Sequence, residues 1–204
     1  MRNMKLAAVE TPPDDGVPLT ERSDDALMIL VRAGLASALR VLAERHMARL
    51  IRFCGKFVLD VHAGQELAQQ TWLQVWAHRA RYESKSRFNV FLFTVARNLC
   101  KNELRRRIRL GAWVDAEATS AHVAAVATED PSVLDALLVR ERNRELLLAL
   151  GRVPEAQREA MLLRFDEDLS YEDMAAVLGA SESTLRSRVY HGLRALRAAM
   201  PGDQ

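Results

Sequence analysis

The chain has 204 residues, 49% hydrophobic and 27% charged, a balance that suits one or two water-facing globular domains. No apolar run approaches the ~20 residues that cross a bilayer, and the first residues lack a sustained apolar core, so the expectation is a cytoplasmic protein without membrane insertion or secretory signal. The net charge of +2 hides an asymmetry: residues 1–30 carry −3, residues 31–110 carry +11, residues 111–149 carry −4 and residues 150–204 carry −2. The basic block points to a polyanion partner, with a solvated basic surface as the alternative.

With only six prolines and nine glycines, and much Ala, Leu and Arg, the chain favours helices. Residues 1–24, with paired prolines and acids in "ETPPDDGVP", read as a disordered N-terminal extension. From about Asp25 to residue 110 a helical pattern runs almost unbroken and forms a first domain. Within it, "AGQELAQQTWLQVWAHRARY" (63–82) is amphipathic. Ala68, Trp72, Val75, Trp76 and Arg79 share one face, and Gln65, Glu66, Gln69, Gln70 and Gln74 line the rest. An amide face with little charge suits protein docking, though a solvated face is equally allowed.

"FNVFLFTVARNLCKNELRRRIR" (88–109) places Leu92, Val95, Ala96, Leu99 and Cys100 on an apolar face. Arg97, Asn98, Lys101, Asn102, Arg105 and Arg109 lie opposite, a mixture that can hold phosphate and read base edges. Phe88 and Phe91 are candidate platforms for unstacked bases, whereas Leu92 and Phe93 are expected in the core. Residues 111–131 are small, acidic and end in proline, and read as a linker.

Periodicity resumes in a second domain, 132–200. Ser170 followed by Asp173 is a capping-box pattern, so a helix should begin near Tyr171. Met174, Val177 and Leu178 give it an apolar stripe, and Gly179 suits the left-handed residue that ends a helix. Ser181 can cap the next helix. Two helices around a short glycine turn make a helix-turn-helix. In the second, Leu185, Val189, Gly192 and Leu196 face inward. Ser183, Thr184, Arg186, Ser187, Tyr190, His191, Arg194 and Arg197 face outward, a set suited to the DNA major groove. The alternative is an amphipathic packing helix with a solvated basic face.

His46, His62, His78, His122 and His191 are scattered without metal-ligand spacing, and no nucleophile–base order or glycine-rich phosphate loop stands out. The expectation is a non-enzyme with no metal and no cofactor. Cys54 and Cys100 form no CxxC pair and read as reduced thiols, redox sensing being the minority alternative. A stand-alone helix-turn-helix regulator is the competing binding function, but its effector domain would have no use for the basic, aromatic face at 88–109.

Together and in this order, these segments resemble a bacterial sigma factor of the extracytoplasmic-function (ECF) type. The fold this implies is all-α: a sigma2-like helical bundle and a sigma4-like helix-turn-helix domain joined by a flexible linker. The implied function is an alternative sigma factor that binds core RNA polymerase, directs it to specific promoters and helps melt them. By the same likeness Gln65, Glu66, Leu67, Gln69 and Gln70 would dock on the clamp helices of the core, whose flap would be a further contact. Phe88, Phe91, Arg97, Asn98, Lys101, Asn102, Arg105 and Arg106 would engage and open the downstream (−10) promoter element. Ser183, Thr184, Arg186, Ser187, Arg188, Tyr190, His191 and Arg194 would contact the upstream (−35) element. Partners would be core polymerase, promoter DNA and an anti-sigma factor. His191 and Gly192 stand where the family usually has Arg and Ala, which implies a distinctive upstream specificity.

Overall fold

The computed structural model describes residues 16–83, 87–111 and 143–200, and among them every regular element is helical. The expected linker falls almost wholly outside these residues, as do residues 1–15 of the expected N-terminal extension. Residues 16–23 depart from the expectation of disorder. A 3-10 turn spans Leu19–Glu21, and Arg45 donates to the carbonyls of Thr20 at 2.6 Å and Arg22 at 2.8 Å. A guanidinium with several donors pins this segment, a long-range tie that its composition does not disclose.

Helix α1 (Asp24–Ala33) starts at Ser23, whose hydroxyl accepts from Ala26 N, and stops at Gly34 in the left-handed region. Helix α2 (Ala36–Val58) buries Ala38, Leu42, His46, Leu50, Phe53, Cys54 and Phe57, the three-and-four spacing of one helix face. It ends at Leu59, a non-glycine residue at φ 59°, and Asp60 at once caps α3 (Val61–Ala77) by accepting from Ala63 N at 3.1 Å. The two-residue turn folds α3 back along α2, and the helices meet at glycines. A Cβ on Gly64 would lie 2.6 Å from Gly55 Cα and N. Helix α4 (Phe88–Arg109) closes the bundle, with Phe93 edge-on to Phe53 at 5.1 Å. Cys54 and Cys100 are free and fully buried here, and the Cys54 thiol together with burial pushes Cys100 well above the ordinary thiol range. A buried thiol so held is a poor nucleophile.

In the C-terminal unit, helix α5 covers 143–151, and Arg158 of α6 (Glu155–Met161) donates to the Leu150 carbonyl near its end and to the Val153 carbonyl in the bend that follows. Helix α6 runs on into a π turn, Leu162–Asp166, and the chain reverses at Asp168 with φ 51°. Helix α7 (Tyr171–Leu178) and helix α8 (Glu182–Ala199) follow.

The two units pack together. Helix α7 lies on α4 and the π turn on α2, and one apolar cluster runs from Leu27 through Phe93 to Ala160, Leu163 and Met174. Ion pairs ring this contact: Arg49 to Glu167 at 3.0 Å, Lys56 to Asp166 at 2.7 Å and Arg87 to Asp173 at 2.8 Å. Three of the five acids of "FDEDLSYED", Asp166, Glu167 and Asp173, thus turn toward the basic block of the first unit, while Asp168 stays open beside Arg164.

Burial pushes the Glu167 carboxyl up from its ordinary 4.5 to about 7, with Arg49 opposing. Its folded value is raised, so its stabilising contribution is full below about pH 4.5 and is lost as pH rises through about 7. His46 acts in the other sense: burial holds its imidazole neutral below the ordinary range, so stability falls as pH drops below 6.5. Urea titrations of wild type and Glu167→Gln between pH 5 and 8 separate the two effects. Wild type should lose up to about 3 kcal/mol relative to the variant across this window. A difference independent of pH would remove Glu167 as a coupled proton site.

Candidate nucleic-acid interface

Helices α7 and α8 form the expected helix-turn-helix. Ser170 Oγ accepts from Asp173 N at 3.0 Å, Gly179 has φ 64°, and Ser181 Oγ accepts from Thr184 N at 3.3 Å. Leu185, Val189 and Gly192 are buried, and Ser183, Thr184, Arg186, Ser187, Tyr190, His191 and Arg194 are exposed, with Arg188 half-buried. Tyr190 leaves 59% of its surface open and meets His191 edge-on at 5.3 Å, while Arg194 lies 6.0 Å over its ring. Arg186 pairs with Glu182 at 2.7 Å and lies 4.8 Å over the Tyr171 ring. These contacts hold the guanidinium above the outer face and restrict its rotamers before any ligand arrives. Gly192 has a packing reason: a Cβ there would crowd the Met161 side chain and come 3.3 Å from Gln157 Cβ, so the glycine lets α8 sit closely on α6.

The outer face of α4 divides in two. Asn98, Asn102, Arg105 and Arg106 are exposed. Arg97 and Lys101 are not open, as the sequence expectation had them. Arg97 is paired to Glu159, whose side chain is 2% exposed, and Lys101 lies 3.6 Å from Glu155 and 3.9 Å from Glu159. The C-terminal unit therefore covers the middle of the basic face with carboxylates. Further along α4, Glu103 accepts from Arg106 at 2.7 Å and from Arg107 at 2.8 Å, and Arg106 first, then Arg107, hold its carboxyl down to about 2. Arg107 also reaches Asp60 at 2.9 Å, which ties α4 to the start of α3.

Two of the expected site residues lie in the core. Phe88 is 2% exposed, stacked 6.3 Å from Trp72 and 5.3 Å from His46, so its ring offers no open face to a base. Phe91 is half-buried, edge-on to Tyr82 at 5.4 Å. Leu67 is 5% exposed and belongs to the core, on the buried stripe of α3 beside Gly64 and Thr71. Glu66, Gln69 and Gln70 are exposed and Gln65 is half-buried, as a docking face requires. Sequence reasoning missed Leu73, which stands 69% exposed beside Gln69 and Gln70. Its signal was a leucine four residues past Gln69 on a face otherwise made of amides. An open leucine amid amides can supply the apolar centre of a protein contact.

Among the described residues no helix is long and apolar enough to cross a membrane, and no group of His, Cys, Asp and Glu is placed to hold a metal.

Known proteins align with this geometry. Residues 42–110 match the model of sigma-70 region 2, and residues 143–196 match sigma-70 region 4. The RNA polymerase sigma factor CarQ of Myxococcus xanthus is 32% identical over 167 residues, which span 81% of this chain and 91% of that one. The RNA polymerase sigma-H factor of Pseudomonas aeruginosa is 28% identical over 187 residues, 89% of this chain and 96% of that one. Among solved structures, the sigma factor RpoE of Bartonella quintana, in complex with the anti-sigma factor NepR, superposes with a TM-score of 0.62 at 25% identity, over 81% of this chain and 98% of that one. CnrH in complex with the cytosolic domain of CnrY shares the fold at a TM-score of 0.61 and 20% identity, over 86% and 95% of the two chains. With both sigma regions in order on two packed helical units, the chain belongs to the sigma-70 family of bacterial RNA polymerase initiation factors, as an alternative sigma factor of the ECF type.

Proposed function

We propose a division of labour over three faces. Arg186, Ser187, Tyr190 and His191 of α8 read the upstream element, with Ser183, Thr184, Arg188 and Arg194 holding phosphates. Asn98, Asn102, Arg105 and Arg106 of α4 contact the downstream element at once, and Phe91 receives a base from the opening strand. Gln65, Glu66, Gln69 and Gln70 of α3, with Leu73 at the C-terminal end of their row, dock on the clamp helices of core polymerase. The observation that carries this reading is the exposure pattern of α8, where every outward polar residue is open or half-open while Leu185, Val189 and Gly192 are buried and Leu196 is half-buried. The protein serves as an initiation factor and leaves bond making to the polymerase, so no catalytic group is assigned.

The paired state of Arg97 and Lys101 adds a condition. Both reach the downstream element only after Glu155 and Glu159 withdraw, so full promoter engagement requires the C-terminal unit to leave α4. Such a move is consistent with a factor that must reach two promoter elements at once, and exchanges four or more protein ion pairs for phosphate contacts. An anti-sigma factor is the expected negative partner, since the RpoE protein of Bartonella quintana is seen with one. It would act by favouring the closed arrangement.

Size-exclusion co-elution with bacterial core polymerase tests the docking face. Wild type should co-elute in one-to-one ratio, and Leu73→Glu should weaken binding by about tenfold to a hundredfold, as loss of an apolar anchor does. Equal retention of both proteins would remove α3 from the docking surface.

A further inference from the structure

Helix α4 begins without a cap of its own. Arg87 precedes it and makes no side-chain cap hydrogen bond, and its first turn carries no acid. The missing acceptor comes from another helix. Asp25, in the first turn of α1, accepts through Oδ1 from Phe88 N at 2.6 Å. The same oxygen accepts from the Tyr82 hydroxyl at 2.8 Å. Two turns further along α1, Arg32 donates to the Tyr82 carbonyl at 3.2 Å. Tyr82 is 1% exposed, and its ring is what meets Phe91 edge-on. A carboxylate at the start of a helix is favoured by the helix dipole, and hydrogen bonds to a charged acceptor are the stronger kind. One carboxylate oxygen therefore fixes two things together: the first turn of α4 and the tyrosine that orients Phe91. Asp25 lies 17 residues before the matched sigma-70 region 2 begins at residue 42.

We infer that Asp25 is a positioning residue for promoter opening, which acts through Tyr82 and the Phe88 amide to hold Phe91 and the start of α4 ready for the captured base. This rests on the reading of α4 as the melting helix. Asp25 touches no base. Its contribution is preorganisation: without it, the freed Phe88 amide and Tyr82 hydroxyl seek water, and the Phe91 ring loses its edge-on support. The effect belongs to strand opening rather than to docking on core, because α3 and α8 are anchored by other contacts.

The test uses full-length protein in holoenzyme with core polymerase. The DNA is a promoter recovered by run-off transcription of genomic DNA with the wild-type holoenzyme, prepared as a duplex and with a mismatched bubble. Permanganate reactivity of thymines reads opening. Asp25→Ala should open the duplex about tenfold less than wild type, the loss expected when a shared charged acceptor is removed. On the bubble, where pairing is already broken, the deficit should shrink to about twofold. Asp25→Asn, whose amide oxygen accepts both hydrogen bonds, should recover most of the opening, and Tyr82→Phe should lie between. Co-elution with core should be unchanged in all three. Duplex opening by Asp25→Ala equal to wild type would overturn the assignment, as would equal deficits on duplex and bubble, or an Asp25→Asn variant no better than alanine. A wild-type holoenzyme that yields no opened promoter at all would instead overturn the melting role of α4, and the assignment with it.

Discussion

Gly64→Ala should destabilise the N-terminal unit by about 3 kcal/mol, at or above the upper end of ordinary overpacking. The added methyl would meet Gly55 Cα and N at 2.6 Å and the Ile51 carbonyl at 3.0 Å, all backbone atoms of the opposing helix. A side chain tip can rotate away from such an approach, but two packed helices must separate along their length. The helix-propensity gain of about 1 kcal/mol for replacing glycine is too small to offset this. Gly151→Ala is the internal control. Its Cβ would meet only Leu59 Cδ1, at 3.4 Å, so its effect should stay near zero or be slightly favourable. Denaturant midpoints measure both. Equal midpoints for Gly64→Ala and wild type would contradict the close α2–α3 crossing.

Glu159→Lys should open the molecule. Glu159 is 2% exposed and pairs with Arg97 while lying 3.9 Å from Lys101. Reversing its charge sets three cations together in a poorly hydrated contact, and breaking a buried pair alone costs about 3–5 kcal/mol. The units are joined by a further four ion-paired positions and an apolar contact, so the first thing lost is the closed arrangement at Arg97 and Lys101. Two readouts should move together. The radius of gyration by small-angle scattering should rise, and affinity for a single-stranded oligonucleotide should increase and become more salt-dependent as two further cations become free. Glu159→Gln should give the same directions at smaller size. A scattering profile and DNA affinity that both match wild type would show that Glu159 does not hold the units closed.

The local signals in the sequence translated well into structure. Helix starts at Tyr171 and after Ser181 follow from hydroxyl caps, and the stop at Gly179 from its freedom to take φ 64°, because these depend only on neighbouring residues. The span Phe88–Arg109 and the inward positions of α8 follow from periodicity. What escaped was set by the approach of distant segments. Phe88 and Phe91 share a helix and a chemistry, yet only Phe88 is buried, since α1 and Trp72 close over the first turn of α4. Leu67 and Leu73 exchange roles for the same reason: the side of α3 that meets the core decides which leucine is open. The basic block points in the sequence to a polyanion partner or to a solvated basic surface. Its charges were plain, but their pairing with Glu155, Glu159, Asp166, Glu167 and Asp173 arises only when the C-terminal unit folds over it. Leu59, at φ 59° without being glycine, carries no turn signature at all.

The most direct test of the whole account is run-off transcription of genomic DNA by purified core polymerase, with and without this protein, followed by mapping of the transcript 5′ ends. The account predicts a set of discrete start sites that depend on the protein and share a two-part motif, with an upstream element read by α8 and a downstream element opened by α4. Transcripts identical to those of core alone, from a core preparation that another sigma factor activates, would contradict it.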